Sequence, residues 1–116
     1  MTALAKSRGI WLNSKNTRLP RQNLKTCAGN IRYVYFDLQA SETNKIWITS
    51  YVDGTMVKEE EVQLKVWDRD GKARAFFFPW PSTALTEGPH IVNIETGPSD
   101  CKNAWRSPDY EIYICA

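Results

Sequence analysis

The chain has little of what catalysis and metal binding usually need. It carries one histidine, His90, and three cysteines, Cys27, Cys101 and Cys115, none of them in a Cys-x-x-Cys pair. A single imidazole excludes two-histidine metal sites and any relay that passes a proton between histidines. A site using all three cysteines and His90 would draw its ligands from four separate places, so no metal and no cofactor is expected. No run of about 18 apolar residues exists, which excludes an apolar membrane-spanning helix. No Asn-x-Ser/Thr sequon occurs, which disfavours a eukaryotic cell-surface protein. A secretory apolar region is also missing, since "MTALAKSRGIWLN" is too short and too interrupted. There are no repeats and no low-complexity tracts.

Acid is absent from the first third of the chain. Residues 1–36 hold Lys6, Arg8, Lys15, Arg18, Arg21, Lys25 and Arg32 and no Asp or Glu. The rest holds eight bases and thirteen acids, so a net charge of +2 divides into +7 and −5. At 116 residues the chain reads as a single domain, 1–116, with a basic N-terminal arm over residues 1–26. Such an arm can fold back on its own acidic body, using Ile10, Trp11 and Leu12 as apolar anchors, and this is the favoured reading. It can also bind phosphates or an anionic surface through Arg8, Lys15, Arg18, Arg21 and Lys25. A transit peptide is a third reading, since the segment is basic and acid-free.

What the chain has in quantity is two-residue alternation. "IRYVYFDLQ" sets Val34, Phe36 and Leu38 against Tyr33, Tyr35 and Asp37. "KIWITSYV" sets Ile46 and Ile48 against Trp47, Thr49 and Tyr51; "EVQLKVW" sets Val62, Leu64 and Val66 against Gln63, Lys65 and Trp67. "ARAFFF", "HIVNIE" and "YEIYIC" follow the same period. Turn chemistry separates these runs: "SETN", Asp53-Gly54, Asp70-Gly71, "EGP" and "TGPSD". No helical stripe intervenes. Six to seven short strands with such breaks predict an all-β fold, an antiparallel two-sheet β-sandwich of immunoglobulin-like or jelly-roll-like type. "KEEEV", residues 58–62, reads as a charged strand that blunts an exposed sheet edge.

Neighbouring strand residues point to opposite faces, so Phe76, Phe77 and Phe78 cannot share one. Phe76 and Phe78 are expected to fill the thick side of the sandwich, and Phe77 a narrow gap beside Ala73 and Ala75. Pro79 and Pro81 then end the strand, leaving Trp80 as a presented aromatic.

The polar candidates read as structural. His90 follows Gly88-Pro89 at a strand start, with no nucleophile in a recognisable turn, so a small hydrolase that depended on it is a minor alternative. Asp68 and Asp70 lack the ligand spacing of a calcium loop. Alternation along "DYEIYICA" turns Ile112 and Ile114 inward and Cys115 outward, where Cys101 could staple it by a disulfide. A Cys27–Cys115 bridge is the second pairing, and three reduced thiols in a cytosolic protein the remaining alternative.

The last strand resembles the tyrosine-corner strand of immunoglobulin variable domains, Asp-x-Ala-x-Tyr-x-Cys, through Asp109, Tyr113, Cys115 and Ala116. The resemblance implies a sandwich. It departs from the pattern at Glu111, in having no strand after Cys115, and in having no tryptophan shortly after Cys27.

Parity leaves Tyr33, Tyr35, Trp47, Tyr51 and Trp67 off the aliphatic core face. Together with Trp80 they form the expected binding residues. The arm would cover part of that face, and the remainder would be an aromatic platform. The reading is a non-catalytic binding module, extracytoplasmic (secreted, envelope or virion-associated), with a protein partner. Nucleic-acid or anionic-polymer binding through the arm, and carbohydrate binding through exposed tryptophan, are the alternatives.

Overall fold

A computed structural model describes residues 5–13, 20–40, 44–64, 74–97 and 104–115. Ten strands run through them: β1 (Ala5–Lys6), β2 (Ile10–Leu12), β3 (Asn23–Cys27), β4 (Tyr33–Ala40), β5 (Asn44–Val52), β6 (Thr55–Leu64), β7 (Arg74–Pro79), β8 (Gly88–Gly97), β9 (Trp105–Arg106) and β10 (Tyr110–Cys115). Two one-turn 3₁₀ helices, Ala28–Asn30 and Ser82–Ala84, interrupt them. Among the described residues there is no α-helix, and no helix is long and apolar enough to cross a membrane.

The strands form two sheets. In the smaller, β1 and β2 lie in succession along one edge of β4, and β7 lies along the other. The larger has the order β3-β10-β8-β5-β6, with β9 beside β10 on the same side of β8. Alternation does what the sequence predicts. Val34, Phe36 and Leu38 from β4, Ile46 and Ile48 from β5, Phe76 and Phe78 from β7, and Ile112 and Ile114 from β10 are all sealed in the interior. The hydrophobic effect on these side chains holds the two layers together. At the β5–β6 hairpin, Asp53 (φ 51°) and Gly54 (φ 81°) both take left-handed backbone, as a two-residue turn between twisted strands requires. β6, which carries the acidic run, is an edge strand as expected.

The arm departs from expectation in form. It docks on the body, but as strands added to edges and not as a cover over a face. Ile10 pairs with Phe36 and is wholly buried in the core, whereas Trp11 points to the opposite side. An isolated antiparallel bridge joins Ile10 to Arg21, where Ile10 N–H donates to Arg21 O at 2.7 Å and Arg21 N–H to Ile10 O at 2.9 Å. From there the chain enters the other sheet as β3, which pairs parallel to β10. Among the described strands, this one parallel pair breaks the otherwise antiparallel pattern. It needs no tight connection, because its strands come from opposite ends of the chain.

Arg8 has a second use in this docking. Asp37 sits on the outer-facing parity of β4 yet is fully buried. Its carboxylate accepts from the Arg8 backbone N–H at 2.9 Å and from Arg8 Nε at 2.5 Å. A buried charge is tolerable only when paired and hydrogen-bonded, so a base of the docked segment balances the first acid of the body.

The immunoglobulin resemblance does not extend to side-chain roles. Tyr113 is exposed under the Lys25 ammonium, 5.7 Å from its ring centroid. The buried tyrosine is Tyr110, whose hydroxyl lies 3.2 Å from Ser7 Oγ in the arm; burial raises its pKa, although the Ser7 hydrogen bond works against the shift.

Candidate binding surface

The outer face of the smaller sheet carries a row of rings. Register places Trp11 of β2 beside Tyr35 of β4, and Tyr35 beside Phe77 of β7. Tyr33 stands two residues along β4, on the same face. Trp11 and Tyr35 stack with centroids 6.1 Å apart and planes 16° from parallel. Tyr35 and Phe77 are tilted at 5.6 Å, and Tyr33 meets Phe77 edge-to-face at 5.6 Å and 86°. Each such pair contributes about 0.5–1.5 kcal/mol beyond area burial.

Exposure grades along the row. Trp11 is buried, Tyr35 half-buried, and Phe77 and Tyr33 are 44% and 43% exposed. Among the described residues, the buried donor Trp11 Nε1 has no acceptor. Two contacts fix the exposed end. Lys58 reaches across from β6, donating to Phe77 O at 2.9 Å with its ammonium 4.5 Å from the Phe77 centroid. Asn13, in left-handed backbone at the end of β2, accepts from the N–H groups of Arg32 (2.9 Å) and Tyr33 (3.1 Å). Asparagine tolerates that conformation better than most residues, so Asn13 anchors the arm at the root of Tyr33.

The expected binding residues therefore split. Tyr33 and Tyr35 lie in this row. Trp47 and Tyr51 are on the outer face of the larger sheet, across the sandwich. Trp47 (41% exposed) lies between Glu61 and Gly97 in register. Tyr51 donates to Glu95 Oε1 at 3.3 Å and lies under the Arg106 guanidinium, which also pairs with Glu95. Burial, then the Glu95 charge, raises the Tyr51 pKa. Trp67 lies outside the described residues.

Two aromatic expectations are corrected. Trp80 is not presented. It continues the inward parity of Phe76 and Phe78, is 8% exposed, and donates from Nε1 to Ala84 O at 2.9 Å. Phe77 occupies no narrow interior gap; it is the exposed centre of the ring row. Parity assigned it to the face of Ala75 correctly, but that face is the solvent side of β7.

Among the described residues, the arm's bases do not converge. Arg8 serves Asp37, Lys25 covers Tyr113 on the larger sheet, and Arg21 is exposed at the crossover between sheets. Lys15 and Arg18 lie outside the described residues, as do Asp68, Asp70 and Cys101. Cys27 and Cys115 are free thiols.

His90 is engaged on both sides. Nδ1 lies 2.6 Å from Asp53 Oδ2 and Nε2 lies 2.7 Å from the Thr86 carbonyl oxygen. Both neighbours are acceptors, a setting that favours the protonated ring, in which both nitrogens donate. Burial opposes that charge, but the Thr86 and Asp53 hydrogen bonds and the Asp53 charge outweigh it and raise the pKa.

Together these features define a two-sheet β-sandwich with an aromatic outer face. No family model matches the chain, and no curated protein matches it. Among solved structures it is similar to the CARDB domain of the PF1109 protein of Pyrococcus furiosus, a structure in complex with di-metal ions. The identity is 12% and the TM-score 0.51, over 97% of this chain and 90% of that one. At that identity the likeness is one of fold, an immunoglobulin-like β-sandwich. Among the described residues, no group of three or more His, Cys, Asp or Glu side chains is placed to hold a metal ion.

Proposed function

We propose that the chain is a non-catalytic binding module, acting outside the reducing cytosol, that recognises a protein partner with the outer face of β2, β4 and β7. The observation that carries this is the pair Tyr33 and Phe77, each more than two-fifths exposed and braced edge-to-face on an otherwise packed sheet. Rings held by other rings have already lost their rotamer freedom, so a partner that covers them meets little further entropic cost. The 86° angle between the two planes makes a ridged surface rather than a flat one. Ridges suit interdigitating protein side chains better than the face of a sugar ring. Lys58 at the border adds one cation, which favours a partner with an acidic rim. The engagement of His90 on both nitrogens supports a non-catalytic reading, because it leaves the imidazole no free site for general-base work.

The test compares partner capture by the native chain, a Tyr33→Ser/Phe77→Ser variant and a Trp47→Ser variant. Losing a central aromatic pair should weaken binding by about tenfold or more, while Trp47→Ser leaves it unchanged. Binding that survives the double variant overturns the assignment. A steep fall of heparin affinity with salt would point to the anionic-polymer reading, and tryptophan fluorescence that responds to sugars would point to the carbohydrate one.

A further inference from the structure

The parallel pair β3–β10 brings together two cysteines that are far apart in sequence. The register runs Glu111↔Asn23, Ile112↔Leu24, Tyr113↔Lys25, Ile114↔Thr26, Cys115↔Cys27. Leu24, Ile112 and Ile114 point inward, toward the core. Asn23, Lys25 and Cys27 therefore share the outer face with Glu111, Tyr113 and Cys115. The Lys25–Tyr113 contact one row away confirms this parity. Cys27 and Cys115 stand side by side on one face, at the last position of each strand. Cys27 is exposed and Cys115 half-buried, and both are free thiols.

We propose that Cys27 and Cys115 form a reversible disulfide that fastens β3 to β10. Laterally paired residues on neighbouring strands have Cα atoms about 4.8 Å apart, inside the roughly 4.4–6.8 Å range that a disulfide spans. The side chains of a parallel pair start out alongside each other, so closing the bond needs a small backbone adjustment. The site can supply it. Cys27 is the extended residue (φ −87°, ψ 149°) at which β3 gives way to the Ala28–Asn30 turn, and Cys115 ends β10. Exposed disulfides are among the more readily reduced, and Cys27 is exposed, which makes this bond a reversible one.

The oxidant is a low-molecular-weight disulfide of the glutathione kind. The thiolate of the more exposed Cys27 attacks one sulfur of the oxidant, forming a mixed disulfide and releasing one small thiol. The Cys115 thiolate then attacks the Cys27 sulfur, forming the protein disulfide and releasing the second small thiol. Two protein thiols are oxidised, one small disulfide is reduced to two thiols, and the two protons leave on them. This inference stands apart from the reading of the aromatic face.

The test equilibrates the native chain with oxidised glutathione, alkylates the remaining thiols, digests the protein and identifies the peptides by mass. The expected product is one peptide pair joined through Cys27 and Cys115, lighter by two hydrogens, with Cys101 alkylated and the bridge reopened by dithiothreitol. The same bridge should form in a Cys101→Ser variant. Alkylation of both cysteines, separate capping of each by glutathione, or a bridge to Cys101 would each overturn the proposal.

Discussion

Raising the pH should loosen one end of the sandwich through a single side chain. His90 is the only histidine in the chain, and its imidazolium ties the Asp53 turn at 2.6 Å to the Thr86 connection at 2.7 Å. Its folded pKa lies above the ordinary value of 6.5. The stabilisation from the proton is therefore complete below pH 6.5 and is lost as the pH rises through the folded value. A neutral ring keeps one N–H and presents a lone pair to the other acceptor, so one charge-assisted bond of about 1.5–3 kcal/mol is lost. The imidazole is 7% exposed and the Asp53 carboxylate 45%. Water replaces part of the bond on the Asp53 side, which brings the expected loss to about 1–2 kcal/mol. Urea denaturation from about pH 6 to pH 9 measures it, with His90→Gln as the variant that should lack the slope. The imidazole can be titrated directly by NMR without assignment ambiguity, and Asp53→Asn should lower its pKa. Equal pH slopes in the native chain and His90→Gln, or an imidazole that titrates below 6.5, would refute the reasoning.

Other substitutions probe the arm and the triple phenylalanine. Arg8→Met should destabilise the fold by about 2–4 kcal/mol, because it leaves the buried Asp37 carboxylate with a backbone N–H alone; a loss well below that in urea melts counts against a paired buried charge. Gly9→Ala should cost about 1–3 kcal/mol by thermal denaturation, since its Cβ would lie 2.5 Å from Arg21 O and 2.9 Å from Arg21 N, all backbone atoms. Phe78→Ala should cost about 3–5 kcal/mol and Phe77→Ala about 1 kcal/mol; similar losses for the two would undo their assignment to opposite faces. Tyr110→Phe, which deletes the hydroxyl facing Ser7, should cost about 1 kcal/mol, read as a shift in urea midpoint.

The long strands were legible because burial on one side imprints a two-residue period. Val34, Phe36 and Leu38 declare β4 by themselves. Parity was also enough to separate Tyr33 and Tyr35 from the core. It could not say which outer face a residue joins, and so Trp47 and Tyr51 were grouped with rings on the opposite side of the molecule. β3 was missed because "NLKTC" has one aliphatic residue in five, and its place depends on β10 from the far end of the chain. Asp37 looks solvent-facing by parity; its pairing comes from Arg8, in the link between β1 and β2 some thirty residues upstream. The inward place of Trp80 is hidden in the sequence because Pro79 and Pro81 read as the end of its alternation. The chain keeps its inward parity through that break, and the Ser82–Ala84 turn supplies the acceptor its indole needs.

The arm's crossing between the sheets has a consequence for association. Without it, the eight-residue β4 and the six-residue β10 would each present an unpaired row of amides and carbonyls, the template on which chains add to one another. The arm covers both rows and leaves as new borders only the short β1, β2 and β3. One excursion of the polypeptide thus protects both sheets, and a molecule whose arm came loose would expose two adhesive borders to the arm of a neighbour.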